Sequence, residues 1–298
     1  MKETTPQQFR ASVEARLSPI AAETGRTINR TRTLLVMERF LARMVFVAPD
    51  MFILKGGLAL ELRLERARTT RDVDVLAHGG ADAAEALLRA AAAVLFHPSD
   101  HIEFAVTPNP DSPEIDGDGV RYNGRRFRIT PSIAARPFGD SFGVDVATAD
   151  AVLGAPDVLA GSDFFDRYGI TRLRVPAYPL PTHLAEKLHA LTLPRSQPNS
   201  RLKDLVDIAL LSDLDGHEAS LIGRAIERTF RFRASHRVPI RLPEPPIQWA
   251  AQYARMQRDE QLNWATLDDV LRAARALLDP VLAGTSGRWH APSAVWLP

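Results

Sequence analysis

The pattern of apolar and polar positions divides the chain into two halves of different character. Residues 6–24 and 28–47 have helical periodicity, and in the second Leu34, Leu35, Met37, Phe40, Leu41 and Val45 trace one apolar face. A short apolar piece, "DMFILKGG", ends at Gly56-Gly57 and leads into "LALELRLER", which combines helical spacing with strong helix formers. "RDVDVLAH" then alternates with period two, Val73 and Val75 on one face and Asp72 and Asp74 on the other. Residues 81–95 predict a helix. From about 103 to 147 the signal is that of strands: "VRYNGRRFRI" carries Asn123-Gly124, a strong hairpin signal, and "SFGVDVAT" sets Asp145 between Val144 and Val146.

Beyond about residue 155 strands thin out, apart from a piece near "TRLRVPAY". Helices are expected over 182–193, 201–212, 217–231 and 266–283, with "PEPPIQW" as a proline-rich joint. The tail "GTSGRWHAPSAVWLP" reads as either frayed or docked by Trp289 and Trp296. The expected architecture is α/β (α+β). A mixed-sheet catalytic domain with N-terminal helices occupies 1–155, and a mainly helical domain occupies 156–298.

Composition narrows the function classes without choosing among them. The 298 residues contain no cysteine, which excludes disulfides and thiolate metal sites and permits a reducing compartment. The N-terminus lacks the apolar core of a signal peptide, and no apolar run approaches the roughly 20 residues that span a bilayer. A soluble, cytoplasmic protein is expected. Net charge is only +1, so whole-molecule charge does not argue for nucleic acid. Its distribution is more informative: over 224–241, Arg224, Arg228, Arg231, Arg233, Arg237 and Arg241 stand against Glu227 alone. Of the 37 basic residues only Lys2, Lys55, Lys187 and Lys203 are lysine. In so arginine-rich a chain, a surviving lysine hints at a need for a compact ammonium.

The candidate chemistry begins with the carboxylates. Asp72 and Asp74, two apart on a strand, leave the same face. Paired hard oxygen donors suit Mg²⁺, which binds through one or two carboxylates plus substrate phosphates. Asp145 supplies a third carboxylate from a neighbouring strand, and three such groups repel unless a cation lies between them. Metal ions held this way clamp the attacking and leaving oxygens of a phosphoryl displacement. A solvated sheet face explains Asp-Val-Asp equally simply. Gly56 and Gly57, at the start of a helix, offer backbone N–H groups and close approach to a phosphate.

A second constellation, "HLAEKLHALTLPRSQPNSRLKDLVDIALL", reads as two amphipathic helices joined by a loop. Lys187 projects from the first. Lys203, Asp204 and Asp207 lie on the first turns of the second, where acidic groups also match the helix dipole. Arg224, Arg228 and Arg231 share one face of a later helix, a stripe able to neutralise phosphates or simply to face solvent. The segment "RYNGRRFR" adds Arg121, Arg125, Arg126 and Arg128.

The order Gly-Gly, spacer, Asp-x-Asp and later carboxylate resembles the nucleotidyltransferase superfamily of the DNA polymerase β type. With "KGGLALEL", "TTRDVDVL" and "AEKLHAL…RLKDLVDIALL", the chain resembles the AbiEii-type toxin nucleotidyltransferases of type IV toxin–antitoxin systems over roughly 50–212. The resemblance implies Asp72, Asp74 and Asp145 as metal and catalytic residues, joined in catalysis by Lys187 and by Asp204 or Asp207. It implies Lys55, Gly56, Gly57, Arg71, Lys187 and Lys203 as nucleotide-binding, and Arg224, Arg228, Arg231 and Arg233 as RNA-binding. It further implies Mg²⁺ or Mn²⁺ as cofactor, a nucleoside triphosphate (NTP) as substrate, the 3′ end of tRNA as acceptor and a cognate antitoxin encoded nearby. Nucleotidylation of a protein or small molecule, and a non-catalytic RNA- or partner-binding module, are the alternatives.

Overall fold

The computed structural model describes residues 5–64, 69–114, 124–196 and 198–298. Helix α1 (Pro6–Thr24) begins with a reciprocal cap: Thr5 accepts from the Gln8 backbone N–H, and the Gln8 side chain accepts from that of Thr5. Gly25 ends it in the left-handed conformation. Helix α2 (Ile28–Val47) is buried almost all round from Thr31 to Met44. Its polar side chains on the inside are neutralised locally. Asp100 pairs with Arg39 at 3.0 Å and Arg43 at 3.2 Å, and Glu38 accepts from the Ser162 backbone and hydroxyl. The expected apolar face of α2 is present, and the rest of the helix is covered as well.

The chain then alternates: β1 (Phe52–Lys55), α3 (Gly56–Arg63), β2 (Asp72–Ala77), α4 (Ala81–Ala93), β3 (Ile102–Pro108), β4 (Gly124–Ile133), β5 (Arg136–Pro137), β6 (Phe142–Ala147), β7 (Asp157–Ala160) and β8 (Arg174–Ala177). Among the described residues these strands form one mixed sheet in the order β3-β4-β6-β2-β1-β8-β7, with the short β5 beside β4. β2 is parallel to β6 and antiparallel to β1. Val73, Val75, Val144 and Val146 bury one face against α1, α2 and α4. Strand alternation therefore turns Asp72, Asp74 and Asp145 to the opposite face.

The helical half comprises α5 (Leu180–Thr192), α6 (Leu202–Ser212), α7 (Ala219–Arg233), α8 (Trp249–Glu260) and α9 (Leu267–Leu282), followed by a hairpin of β9 (Arg288–His290) and β10 (Val295–Leu297). These elements build a second core, which Leu60 of α3 also enters.

The structure departs from the sequence reading, or decides between its alternatives, for local reasons. The boundary expected at 155 precedes β7 and β8, which complete the sheet and carry the first core through Ala177. β4 pairs with β3 and β6, while Arg121 and Asn123 of the expected turn lie outside the described residues, as do Glu65 and Arg66 of "LALELRLER". Helix α8 follows the proline-rich joint and is held by only two buried side chains, Trp249 and Tyr253, too few for a clear apolar stripe. The tail is docked: the Trp289 indole donates to the Ser212 carbonyl at 2.7 Å and Trp296 to that of Leu277 at 3.1 Å.

Candidate active site

Four adjacent strands set Lys55, Asp74, Asp145 and Arg126 in a single row. Lys55 opposes Asp74 across β1–β2, Asp74 aligns with Asp145 across β2–β6, and Asp145 opposes Arg126 across β6–β4. Directly opposed residues share a face, so the row alternates from cation through two carboxylates to cation. Arg126 Nε donates to Asp145 Oδ2 at 3.1 Å. Burial, reinforced by the charges of Asp74 and Asp72 and opposed by Arg126, still pushes the Asp145 carboxyl up to about 6.

Glycines make room for both carboxylates of β2. A Cβ at Gly56, whose φ is +66°, would collide with the Asp74 carboxylate, and one at Gly143 would lie 2.5 Å from Asp72 Oδ1. Gly56 thus has a second role beside opening a helix terminus, and Gly143 went unnoticed in the sequence. Among the described residues no three carboxylates or imidazoles converge tightly enough to hold a metal ion by themselves. The donor set nevertheless suits Mg²⁺. Asp72 and Asp74 offer hard oxygens at an open cleft, and the remaining ligands of that ion commonly come from water and substrate phosphate.

The cleft has a volume of about 370 Å³ and gathers residues from both halves. Of those expected from sequence, Lys55, Gly56, Gly57, Arg71, Asp72, Asp74, Lys187, Lys203 and Asp204 line it. Lys187 Nζ lies 3.0 Å from Asp204 Oδ1 and 2.8 Å from Asp207 Oδ2, so both aspartates of α6 orient it. Asp204 reaches the cleft, whereas Asp207 is fully buried behind it. A wider groove of about 1140 Å³ lies between the α1–α2 corner and the end of α8. It shares Arg71 with the cleft but contains neither carboxylate of β2.

Beneath the cleft is an ionic cluster that sequence spacing did not reveal. Asp150 accepts from Lys55 Nζ at 2.8 Å, from the Tyr178 hydroxyl at 2.9 Å and from Arg233 at 3.3 Å. Glu186 is paired with Arg233, and Lys55 Nζ is 3.6 Å away. Against the cost of burial, the Lys55 charge, a hydrogen bond from Glu186 and the Arg233 charge hold the Asp150 carboxyl well below the usual range. Burial pushes that of Glu186 up. Glu186 precedes Lys187, and Arg233 closes α7; only their shared proximity to Lys55 marks them.

Arg224, Arg228 and Arg231 are exposed along α7, as the stripe predicts. Arg233 is not part of that outer face. It is 8% exposed, ion-paired with Asp150 and Glu186, and lines the cleft, because it lies two residues from Arg231 and about 200° round the helix. Phe230 packs in the second core against His189, while Phe232 is half exposed. Arg125 and Arg128 pair with surface carboxylates of Asp82, Glu85 and Asp111.

Comparison with known proteins gives the family and the fold. The family model described as "Nucleotidyl transferase AbiEii toxin, Type IV TA system" matches residues 39–276. No curated protein sequence matches significantly. Among solved structures, the chain is similar to MenT4, nucleotidyltransferase toxin Rv2826c from Mycobacterium tuberculosis H37Rv, with a TM-score of 0.52 and 15% identity, covering 90% of this chain and 98% of that one. It is also similar to JHP933 from Helicobacter pylori, with a TM-score of 0.45 and 14% identity over 84% of this chain and 90% of that one. Among the described residues, no helix is long and apolar enough to cross a membrane.

Proposed function

Because the chain belongs to the AbiEii family of type IV nucleotidyltransferase toxins, we propose that it transfers a nucleotide from an NTP to the 3′ end of an RNA, with tRNA as the acceptor. The observation that carries this reading is the shared cleft: Asp72 and Asp74 open onto the same space as Gly56, Gly57 and Lys187. Asp72 and Asp74, completed by Asp145, would hold Mg²⁺ or Mn²⁺. When bound, that ion supplies positive charge to the phosphates and acidity to the attacking hydroxyl.

The chain's own groups do the rest by positioning and electrostatics. The acceptor hydroxyl attacks the α-phosphorus, the new O–P bond forms, and pyrophosphate leaves with the electrons of the bond that breaks. Asp145, raised toward neutrality, takes the hydroxyl proton. Lys187, fixed by Asp204 and Asp207, neutralises charge on the phosphates. The exposed Arg224, Arg228 and Arg231 grip a folded RNA backbone by shape, which gives binding that weakens with salt. Nucleotides added to the acceptor stem would block aminoacylation and stop translation, and a cognate antitoxin would relieve that block. Incubating the protein and Mg²⁺ with total RNA and each labelled triphosphate in turn tests the reading. Label is expected at the 3′ ends of tRNA; label in protein or a small molecule instead removes the tRNA assignment.

A further inference from the structure

Lys55 closes β1 and Arg233 closes α7, so the two cations that meet under the cleft come from opposite halves of the molecule. Both line the cleft, and two carboxyl groups hold them in different ways. Asp150 is committed. Its side chain is 1% exposed, and Lys55, Tyr178 and Arg233 saturate its oxygens. Glu186 stands on the cleft wall with its side chain 13% exposed, against Arg233 and, more loosely, Lys55 at 3.6 Å. Arg233 has a further anchor that does not depend on Glu186: its guanidinium donates to His189 Nδ1 at 3.4 Å. Burial and the Arg233 charge push the His189 imidazole down to about 3, so it stays neutral and accepts. Its other nitrogen meets the Ser235 hydroxyl at 2.8 Å.

We propose that Lys55 and Arg233 form a paired-cation subsite for the terminal phosphates of the NTP, and that the Glu186 carboxyl group occupies this subsite until nucleotide displaces it. The proposal rests on the transferase reading and adds to it a phosphate-contacting residue, Arg233, and a displaceable occupant, Glu186. The sheet fixes the direction. Lys55 lies one strand beyond Asp74 and two strands from Asp145, on the order of 10 Å away. A triphosphate attacked at its α-phosphorus beside Asp145 extends its tail toward Lys55.

Charge explains why Glu186 must yield. Asp150 is ionised, and Glu186, held protonated by burial, donates to it. Lys55 and Arg233 therefore face a single carboxylate charge, and a phosphate completes the balance once the Glu186 carboxyl moves aside. A phosphate offers Arg233 the same bidentate contact as a carboxylate, with more acceptor oxygens for Lys55. Exchange of the carboxyl for a phosphate leaves Asp150, Tyr178 and His189 in place as the frame of the subsite.

The test measures binding of inorganic tripolyphosphate, and of ATP, GTP, CTP and UTP with their monophosphates, to the full chain with Mg²⁺ present. Glu186→Ala removes the occupant and leaves Arg233 its Asp150 and His189 partners, so it should bind tripolyphosphate and the preferred triphosphate several-fold tighter while leaving the monophosphate unchanged. Arg233→Gln should weaken the triphosphate roughly tenfold or more, again sparing the monophosphate, as loss of a hydrogen-bonded charge implies. Arg233→Lys should fall between, and melting curves establish that each variant is folded. Should Arg233→Gln prove unfolded, Glu186→Ala alone decides. A Glu186→Ala protein that binds the triphosphate no tighter than wild type overturns the proposal, as does an Arg233→Gln protein weakened equally toward both nucleotides. If those results come from a wild type that transfers nucleotides, the inference fails alone. A wild type that binds neither tripolyphosphate nor any NTP removes the transferase reading with it.

Discussion

On the sheet face, the carboxylates Asp72, Asp74 and Asp145 lie side by side with Arg126 against the last, whereas one strand away Lys55 and Arg233 are paired with Asp150 and Glu186. The first cluster is dominated by negative charge and opens to solvent; the second is balanced by its own ion pairs and enclosed. Burial, with repulsion from Asp74 and Asp72, raises Asp145, a cost that a bound cation would offset. In the second the protein supplies its own counter-ions, so a ligand has to compete with them. On the proposed function, the first cluster would receive a metal–nucleotide complex, and the second ties the two halves together through ion pairs.

Removing the committed anion of the balanced cluster has the largest expected effect on stability. Asp150→Ala leaves Lys55 and Arg233 short of a buried partner and should cost ~3–5 kcal/mol, read as a lower urea midpoint at unchanged slope. An unchanged midpoint would show that Glu186 alone balances both cations.

Relieving the unbalanced cluster should have the opposite sign. Because the folded-state pKa of Asp145 lies above its unfolded value, its contribution to stability is complete below pH 4 and is lost as pH rises through about 6. Asp145→Asn should therefore stabilise the metal-free protein at pH 8 by on the order of 1–2 kcal/mol relative to its effect at pH 4, allowing for partial exposure. Thermal melts at the two pH values check this. Equal shifts at both would mean that neither burial nor the neighbouring carboxylates raise Asp145.

The smallest stability effect belongs to residues in neither cluster. Replacing Arg224, Arg228 and Arg231 together by alanine should leave stability within about 0.5 kcal/mol, as for ordinary surface positions. Transfer to RNA should nevertheless fall and lose part of its salt dependence, while triphosphate binding persists. Binding that weakens for both substrates would merge the stripe with the cleft.

The two clusters differ also in how far the sequence disclosed them. The carboxylate row was legible because strand alternation places Asp72, Asp74 and Asp145 on one face and local spacing carries that information. Lys187 with Asp204 and Asp207 was legible for the same reason, one helix pair with a short connection. The balanced cluster was not. Lys55, Asp150, Glu186 and Arg233 are scattered over 179 positions and meet only because α5 and α7 pack over the end of β1. Arg233 was therefore grouped with its neighbours in the arginine run, although helix geometry turns it away from Arg231. Helix α8 escaped for a different reason: it buries only Trp249 and Tyr253, so its polar faces obscure the periodicity.

The central claim, attack on the α-phosphorus at the Asp72/Asp74 edge of the cleft, is tested most directly by the fate of label placed at two positions of the same triphosphate. With wild type, Mg²⁺ and tRNA, α-label should appear on the RNA and γ-label in released pyrophosphate, and Asp72→Asn, folded, should lower both by on the order of 10³-fold. Label from the γ-position on the acceptor, or full α-transfer by Asp72→Asn, would contradict it.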